Sequence, residues 1–147
     1  MIEKVYGEFQ LDDALHKTLT VELQRFSIPK HAHRVVLNCR QQSYYLTEQG
    51  LHPVEIQFKR DTPEGDWQVV CLVSFSYRDA HRQQLEPELY FHPVNLWCYQ
   101  PDVGSTSLAH PEVQSLFKVW AKALTRHLSQ RVFDEISLSL VRSFNLS

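Results

Sequence analysis

The 147 residues carry 15 basic and 17 acidic side chains, a formal net charge of −2, with 43% hydrophobic and 22% charged residues. Those proportions match an ordinary globular chain and predict one domain over 1–147, long enough to bury a core, rather than wholesale disorder. The near-balanced charge supplies no overall field for a polyanion or a basic partner, and no apolar run reaches the ~18 residues of a membrane span.

Gly is scarce, at four, which argues against glycine-rich phosphate loops and flexible linkers. The start, MIEKVYGEFQ, has no charged-then-apolar secretory pattern and predicts a cytoplasmic protein. Cys39, Cys71 and Cys98 are odd in number, widely spaced and flanked by apolar residues. That pattern predicts buried free thiols in a reducing compartment, not a disulfide frame or a CxxC metal knuckle.

The first periodic segment is LDDALHKTLTVELQRF, in which Leu11, Leu15, Leu19, Leu23 and Phe26 form one stripe of an amphipathic helix. Asp12 or Asp13 can accept from free amides in its first turn, and Pro29 stops its continuation. Asp12, Asp13 and Glu22 spoil the basic face that a membrane-surface helix needs, so the stripe is read as core packing.

After this helix the period changes to two. HRVVLNC places Val35, Leu37 and Cys39 on one face, and VEIQFKR places Val54, Ile56 and Phe58 opposite Glu55, Gln57 and Lys59. DWQVVCLVSFSY is the strongest strand, with Trp67, Val69, Cys71, Val73, Phe75 and Tyr77 all at odd positions and read as one face. The intervening RDTPEGD is rich in turn formers and predicts an antiparallel hairpin. ELYFHPVNLWCYQ reads as an extended stretch interrupted at Pro93, an edge strand or two short strands.

PDVGSTSLAH is a loop by composition. A second helix follows, with Val113, Leu116, Phe117, Trp120, Leu124 and Leu128 on one side, Pro111 at its first position and Glu112 at the positive end of its dipole. FDEISLSLV is read as a strand through Ile136, Leu138 and Leu140, although Phe133, Ile136, Leu140 and Phe144 also fit a helical stripe. Hairpin strands with helices grouped apart predict an α+β fold, not a parallel βαβ fold.

His52 and Glu55, in GLHPVEIQFKR, invite a metal or acid–base reading. In a strand entered at Pro53 they have opposite parity and point apart, so the pair is not expected to meet unless a bulge at Pro53 reverses the phase. His31 and His33 share a face in extended chain, but no third ligand lies nearby, and an exposed polar linker is the expectation. His16, His81 and His127 read as solvent-facing helix or loop residues, and His110 as part of a helix entry. Glu86 and Glu88 read as an ordinary surface pair. No GxSxG, Walker A, HExxH or GxGxxG motif occurs, so no catalytic residue, metal or cofactor is assigned and the balance leans away from an enzyme.

Aromatic residues are more suggestive. Tyr44, Tyr45, Tyr90, Phe91, Trp97 and Tyr99 crowd two segments, most of them read as core or half-buried, and the alternation of Trp97 and Tyr99 with Leu96 and Cys98 predicts a sheet stretch apolar on both faces. One of those faces is expected to be covered by a helix or another subunit. Residues 87–100 contain no Lys or Arg, which argues against stacking on single-stranded nucleic acid.

GLHPVEIQFKR, the strand opened by Trp67 and ending SFSY, then LEPELYF, LFKVWAKAL and FDEISL together resemble domain-of-unknown-function family 2787, a set of gammaproteobacterial proteins. The resemblance covers most of residues 35–140, and His-Pro-Val-Glu followed by the tryptophan strand is its most specific part. It implies an α+β roll, a curved antiparallel sheet with helices against it, similar in outline to cystatin- or nuclear-transport-factor-like folds. A likeness to the mitochondrial acidic matrix glycoproteins, which form trimeric rings, is a second possibility that the near-neutral charge weakens. The family defines no activity and no catalytic residues.

The function expected is therefore a non-enzymatic binding or assembly module that meets a protein partner or its own copy, with no nucleic acid and no membrane. The alternative is a small-molecule-binding protein or enzyme with a pocket in the concave face of the sheet. His52, Tyr90, His92, Trp97 and Tyr99 are the candidate binding residues.

Overall fold

A computed structural model of the chain describes residues 1–77 and 84–145. Its first two strands, β1 (Val5–Tyr6) and β2 (Phe9–Gln10), form a short antiparallel hairpin that periodicity does not reveal. Gly7 turns it at φ +58°, a left-handed conformation that glycine adopts without steric cost. The hairpin buries Tyr6 and Phe9, and the Tyr6 hydroxyl accepts from the Val69 amide at 2.8 Å.

Helix α1 (Asp13–Gln24) starts at Asp12, whose carboxylate accepts from the amides of Ala14 and Leu15. That cap satisfies amides that have no partner inside the helix. Leu15, Leu19 and Leu23 face the core, as their spacing predicts. Strand β3 (Ala32–Arg40) follows, then a short helix α2 (Gln42–Thr47) that the sequence reading leaves out.

β4 (Val54–Lys59) and β5 (Gln68–Tyr77) make the antiparallel hairpin predicted around RDTPEGD. β6 (Leu85–His92) and β7 (Trp97–Gln100) are the two short strands interrupted at Pro93. β8 (Gly104–Ser107) corrects the reading of that segment as loop. Its serines and threonine carry no apolar alternation, so nothing but its pairing with β7 reveals it. Helix α3 (Pro111–Ser129) begins with Pro111 behind His110, whose Nδ1 accepts from the Glu112 amide at 3.2 Å. β9 (Glu135–Ser143) is a strand throughout, which settles the ambiguity at 133–141.

The order β8-β7-β6-β5-β4-β3-β9 makes an open, antiparallel, seven-stranded sheet, and the fold is α+β. Buried residues of α1 and α3 join Val35, Leu37, Ile56, Phe58, Leu72, Phe91 and Cys98 in one core on a single face of the sheet. Residues directly opposite one another on paired strands share a face. Arg34, Val36, Gln57, Tyr90, Trp97 and Tyr99 accordingly fall on the second face.

The single-face reading of β5 is overturned. Phe58 pairs with Val69 and Gln57 with Cys71, so Val70 is an extra residue in the ladder. A bulge of this kind reverses the alternation. Trp67 and Val69 therefore face the core, Leu72 takes over beyond the bulge, and Cys71, Val73 and Phe75 turn to the second face. Parity counted along an unbroken strand cannot detect the inserted residue.

Candidate functional site

Two places gather polar or aromatic side chains beyond what the core requires. The first lies on the helical face. Ser74, opposite Val54, faces the core side of β5, yet it carries a hydroxyl and is buried. A second bulge sits across from it: Ser74 pairs with Leu89 and Phe75 with Pro87, leaving Glu88 as the extra residue of β6. Its carboxylate is aimed at Ser74, whose Oγ donates to Oε1 at 2.8 Å.

His52 completes this group from the segment before β4. Its Nδ1 lies 2.6 Å from the same Oε1 of Glu88, and its ring packs on Tyr44 of α2 with centroids 4.5 Å apart. An ionised carboxylate only accepts, so Nδ1 carries a proton and donates it to Glu88. Tyr44 is held in turn by stacking on Tyr77 at 5.6 Å and by the Tyr77 amide, which donates to its hydroxyl. Ser74 bonds the carboxylate and not the imidazole, so the three do not form a serine–histidine relay.

His52 and Glu55 do point apart, as their parity predicts. Glu55 lines a hollow on the second face with Tyr45 and Phe75. The carboxylate that His52 meets belongs to Glu88, 36 residues further on, which corrects the reading of Glu88 as an ordinary surface residue. A groove runs past this cluster beneath α3. One end, about 150 Å³, is walled by Leu51, Val54, Trp120, Leu124 and Phe133. The other, about 460 Å³ and open, reaches Gln100 and Asp102, and both ends share Ser74, Glu88 and Trp120.

The second place is the opposite face at the β6–β7 hairpin. Tyr90 pairs with Tyr99 and His92 with Trp97. The Trp97 ring stacks on Tyr90 at 4.9 Å and on His92 at 4.8 Å, both nearly parallel. The structure thus brings four of the five candidate residues together and leaves His52 on the other side of the sheet. Phe91 and Cys98, between them in sequence, pack toward α3, where Phe91 meets Phe117 edge-on at 4.9 Å. The stretch is apolar on both faces, and a helix covers one of them.

Burial lowers the His92 pKa, and its Nδ1 accepts from the Asn95 amide at 3.2 Å, a bond that requires the unprotonated nitrogen. Burial also pushes the Tyr90 hydroxyl up, helped by its contact with the Cys71 thiol. Both rings are therefore uncharged near neutrality. Arg34 lies further along this face, its Nη1 donating to Gln57 at 2.9 Å while its buried Nε has no partner among the described residues.

Other histidines differ from their expected places. His16 is half-buried and bonds the Ile2 carbonyl at 2.7 Å instead of facing solvent. His127 is half-buried, edge-on to Phe133 and part of the groove. His33 lies within β3, its Nδ1 2.6 Å from the Arg60 carbonyl, so the pair with His31 is not an exposed linker. His81 lies outside the described residues. Among the described residues no three metal-ligating side chains converge. No helix there is long and apolar enough to cross a membrane.

Ser74, Glu88 and Trp120 are the groove residues that sequence reasoning missed as a group. Ser74 breaks an apolar strand and is the one visible signal; the bulge that turns Glu88 toward it has none.

Comparison with known proteins agrees with this architecture. The hypothetical protein VC0508 from the VSP-II pathogenicity island of Vibrio cholerae superposes with a TM-score of 0.80 at 20% identity, covering 96% of this chain and 100% of that one. The conserved hypothetical protein VC1805, from pathogenicity island VPI-2 of the same species, superposes with a TM-score of 0.78 at 22% identity, covering 95% and 100%. VC1805 is itself described as sharing structural homology with the human P32 protein. No curated protein matches the chain. The model of the protein of unknown function family DUF2787 matches residues 13–139, and the chain belongs to that family.

Proposed function

We propose that the protein is a non-enzymatic assembly module that associates with a second copy of itself through the face of its sheet opposite α1 and α3. The observation that carries this reading is the stack of Tyr90, His92 and Trp97 beside Tyr99, four rings on one face with neither α1 nor α3 over them. Aromatic residues of this kind concentrate at protein contacts, where they bury large areas at low entropic cost. Their neighbours Cys71, Ser105 and Ser107 add no charge, while Arg34 and Lys59 stand near enough for their charges to act on His92. A patch uncharged at its centre can meet its own copy without the like-charge repulsion that prevents strongly charged faces from self-pairing.

Light scattering and sedimentation over a concentration series test this. Reversible association is expected for the unaltered chain. Tyr99→Lys, at a ring that is 37% exposed, is expected to return it to monomer with an unchanged circular dichroism spectrum. A strict monomer at every concentration overturns the reading.

A further inference from the structure

The groove beneath α3 lies on the opposite side of the sheet from the aromatic stack, and its composition is unusual for a core-facing surface. Ser74, Ser76 and Glu88 all line it from strands that otherwise bury apolar residues against the helices. Polar groups placed against the local apolar pattern mark functional positions more often than structural ones, and bulges that re-aim a side chain cluster at such sites. Here the bulge at Glu88 delivers the carboxylate to the junction between the two ends of the groove.

We infer that this groove binds a small arylalkylamine, a molecule with one aromatic ring and a short arm ending in an ammonium group. The narrower end is a half-open hollow of about 150 Å³. An apolar cavity of roughly that volume accepts a single benzene ring, and here one edge of the ring would stay toward solvent. Leu51, Val54, Leu124 and Phe133 supply such walls, and Trp120 stands over the junction. The ring's arm then emerges beside Glu88. Oε1 is occupied by His52 and Ser74, while Oε2 takes no hydrogen bond among the described residues and is the acceptor left for an ammonium.

Charge decides the ligand's sign. Among the described residues, Glu88 and Asp102 are the acidic ones along the groove, and no Lys or Arg lines either end. A carboxylate ligand would meet the like charge of Glu88 there, whereas a neutral ligand would leave Oε2 to water. Trp120, which lines both ends, adds an aromatic ring whose face favours a cation. The open end, with Gln100 and Asp102, has room for a longer polar extension of the arm.

The test uses the full chain and three probes of one shape: phenethylamine, 2-phenylethanol and 3-phenylpropionate. Binding is followed by tryptophan fluorescence and by calorimetry. The amine is expected to saturate, with the alcohol about tenfold weaker and the carboxylate weaker still, a tenfold ratio being the loss of one good polar contact. Glu88→Gln is expected to bring amine and alcohol to similar affinity. Ala123→Leu, which fills the narrower end, is expected to abolish binding of all three while the melting temperature confirms folding. Equal affinity for amine and alcohol in the unaltered chain, no binding of any probe, or unchanged amine affinity in the folded Ala123→Leu chain each overturns the inference. None of these results depends on whether the chain self-associates through its other face.

Discussion

Glu22 of α1 and Arg131, 109 residues later in the turn between α3 and β9, form an ion pair with Nη1 donating to Oε1 at 2.9 Å. The carboxylate is almost fully buried, and its Oε2 has no hydrogen-bond partner among the described residues, with the Arg25 Nε 3.4 Å away. Arg131 is 51% exposed and stands at φ +57°, a left-handed conformation that is uncommon for its residue type. The pair ties the first helix to the end of the last one, on the core side of the sheet.

Removing Arg131 takes away the hydrogen-bonded cation and leaves the buried carboxylate the looser ion pair with Arg25. Complete loss of a partner costs about 3–5 kcal/mol when both groups are buried. Exposure of Arg131 discounts that figure to about 2 kcal/mol. Arg131→Asn is the suitable variant, because asparagine tolerates the left-handed backbone and only the charge is lost. Urea denaturation is expected to show this loss in the unaltered background and a much smaller one in Glu22→Met. Equal losses in both backgrounds would show that the pair contributes nothing.

Much of this fold was legible because the apolar periods are strong. Leu15, Leu19 and Leu23 marked α1, and Val54, Ile56 and Phe58 marked β4 without ambiguity. The two bulges were not, since an extra residue at Val70 or Glu88 changes pairing without changing composition. The site divided the same way. Tyr90, His92, Trp97 and Tyr99 lie close in sequence on one hairpin, so a local reading named them together, although it added His52 from the other face. His52, from the segment before β4, and Ser74 and Glu88, from β5 and β6, meet only through sheet register, which no local pattern encodes.

His92 and His127 make stability fall on mild acidification. Burial lowers both pKa values, the Arg126 charge adding to the effect at His127. Unfolded histidine titrates near ~6.5. As pH drops through that value, the unfolded chain takes protons that the folded chain refuses, and stability declines until the lowered folded values are passed. Melting temperature is therefore expected to decrease as pH falls below about 6.5, and His92→Gln is expected to flatten part of that slope. An identical slope in His92→Gln and His127→Gln would remove both residues as its source.

The three cysteines are expected to report on opening of different layers. Burial pushes the Cys39 thiol up to about 12 and Cys98 to about 11, and it raises Cys71 as well. Only the thiolate reacts, so labelling by a disulfide reagent at pH 8 should be slow in the folded chain. Cys71 is on the face shared with Tyr90. Tyr90→Ala should expose it and make one thiol react rapidly while the other two stay protected. Simultaneous release of all three would mean that the variant unfolds globally.

The approach of His52 to its groove depends on Gly50, which turns the chain at φ +100°. A Cβ there would sit 2.3 Å from Gln41 Oε1 and 2.8 Å from Ser43 Oγ. Those same atoms hold the turn: Gln41 Oε1 accepts from the Leu51 amide at 2.6 Å, and Ser43 Oγ donates to the Gln49 carbonyl at 2.7 Å. Gly50→Ala therefore combines backbone strain with displacement of both bonds, and a cost of about 2–3 kcal/mol is expected. Its local effect is the more informative one. Leu51 and His52 follow directly, so the imidazole should shift from Glu88, and its ring-proton resonances should move while those of His110, at the start of α3, do not. A stability loss with unmoved His52 resonances would show that the turn does not position the histidine.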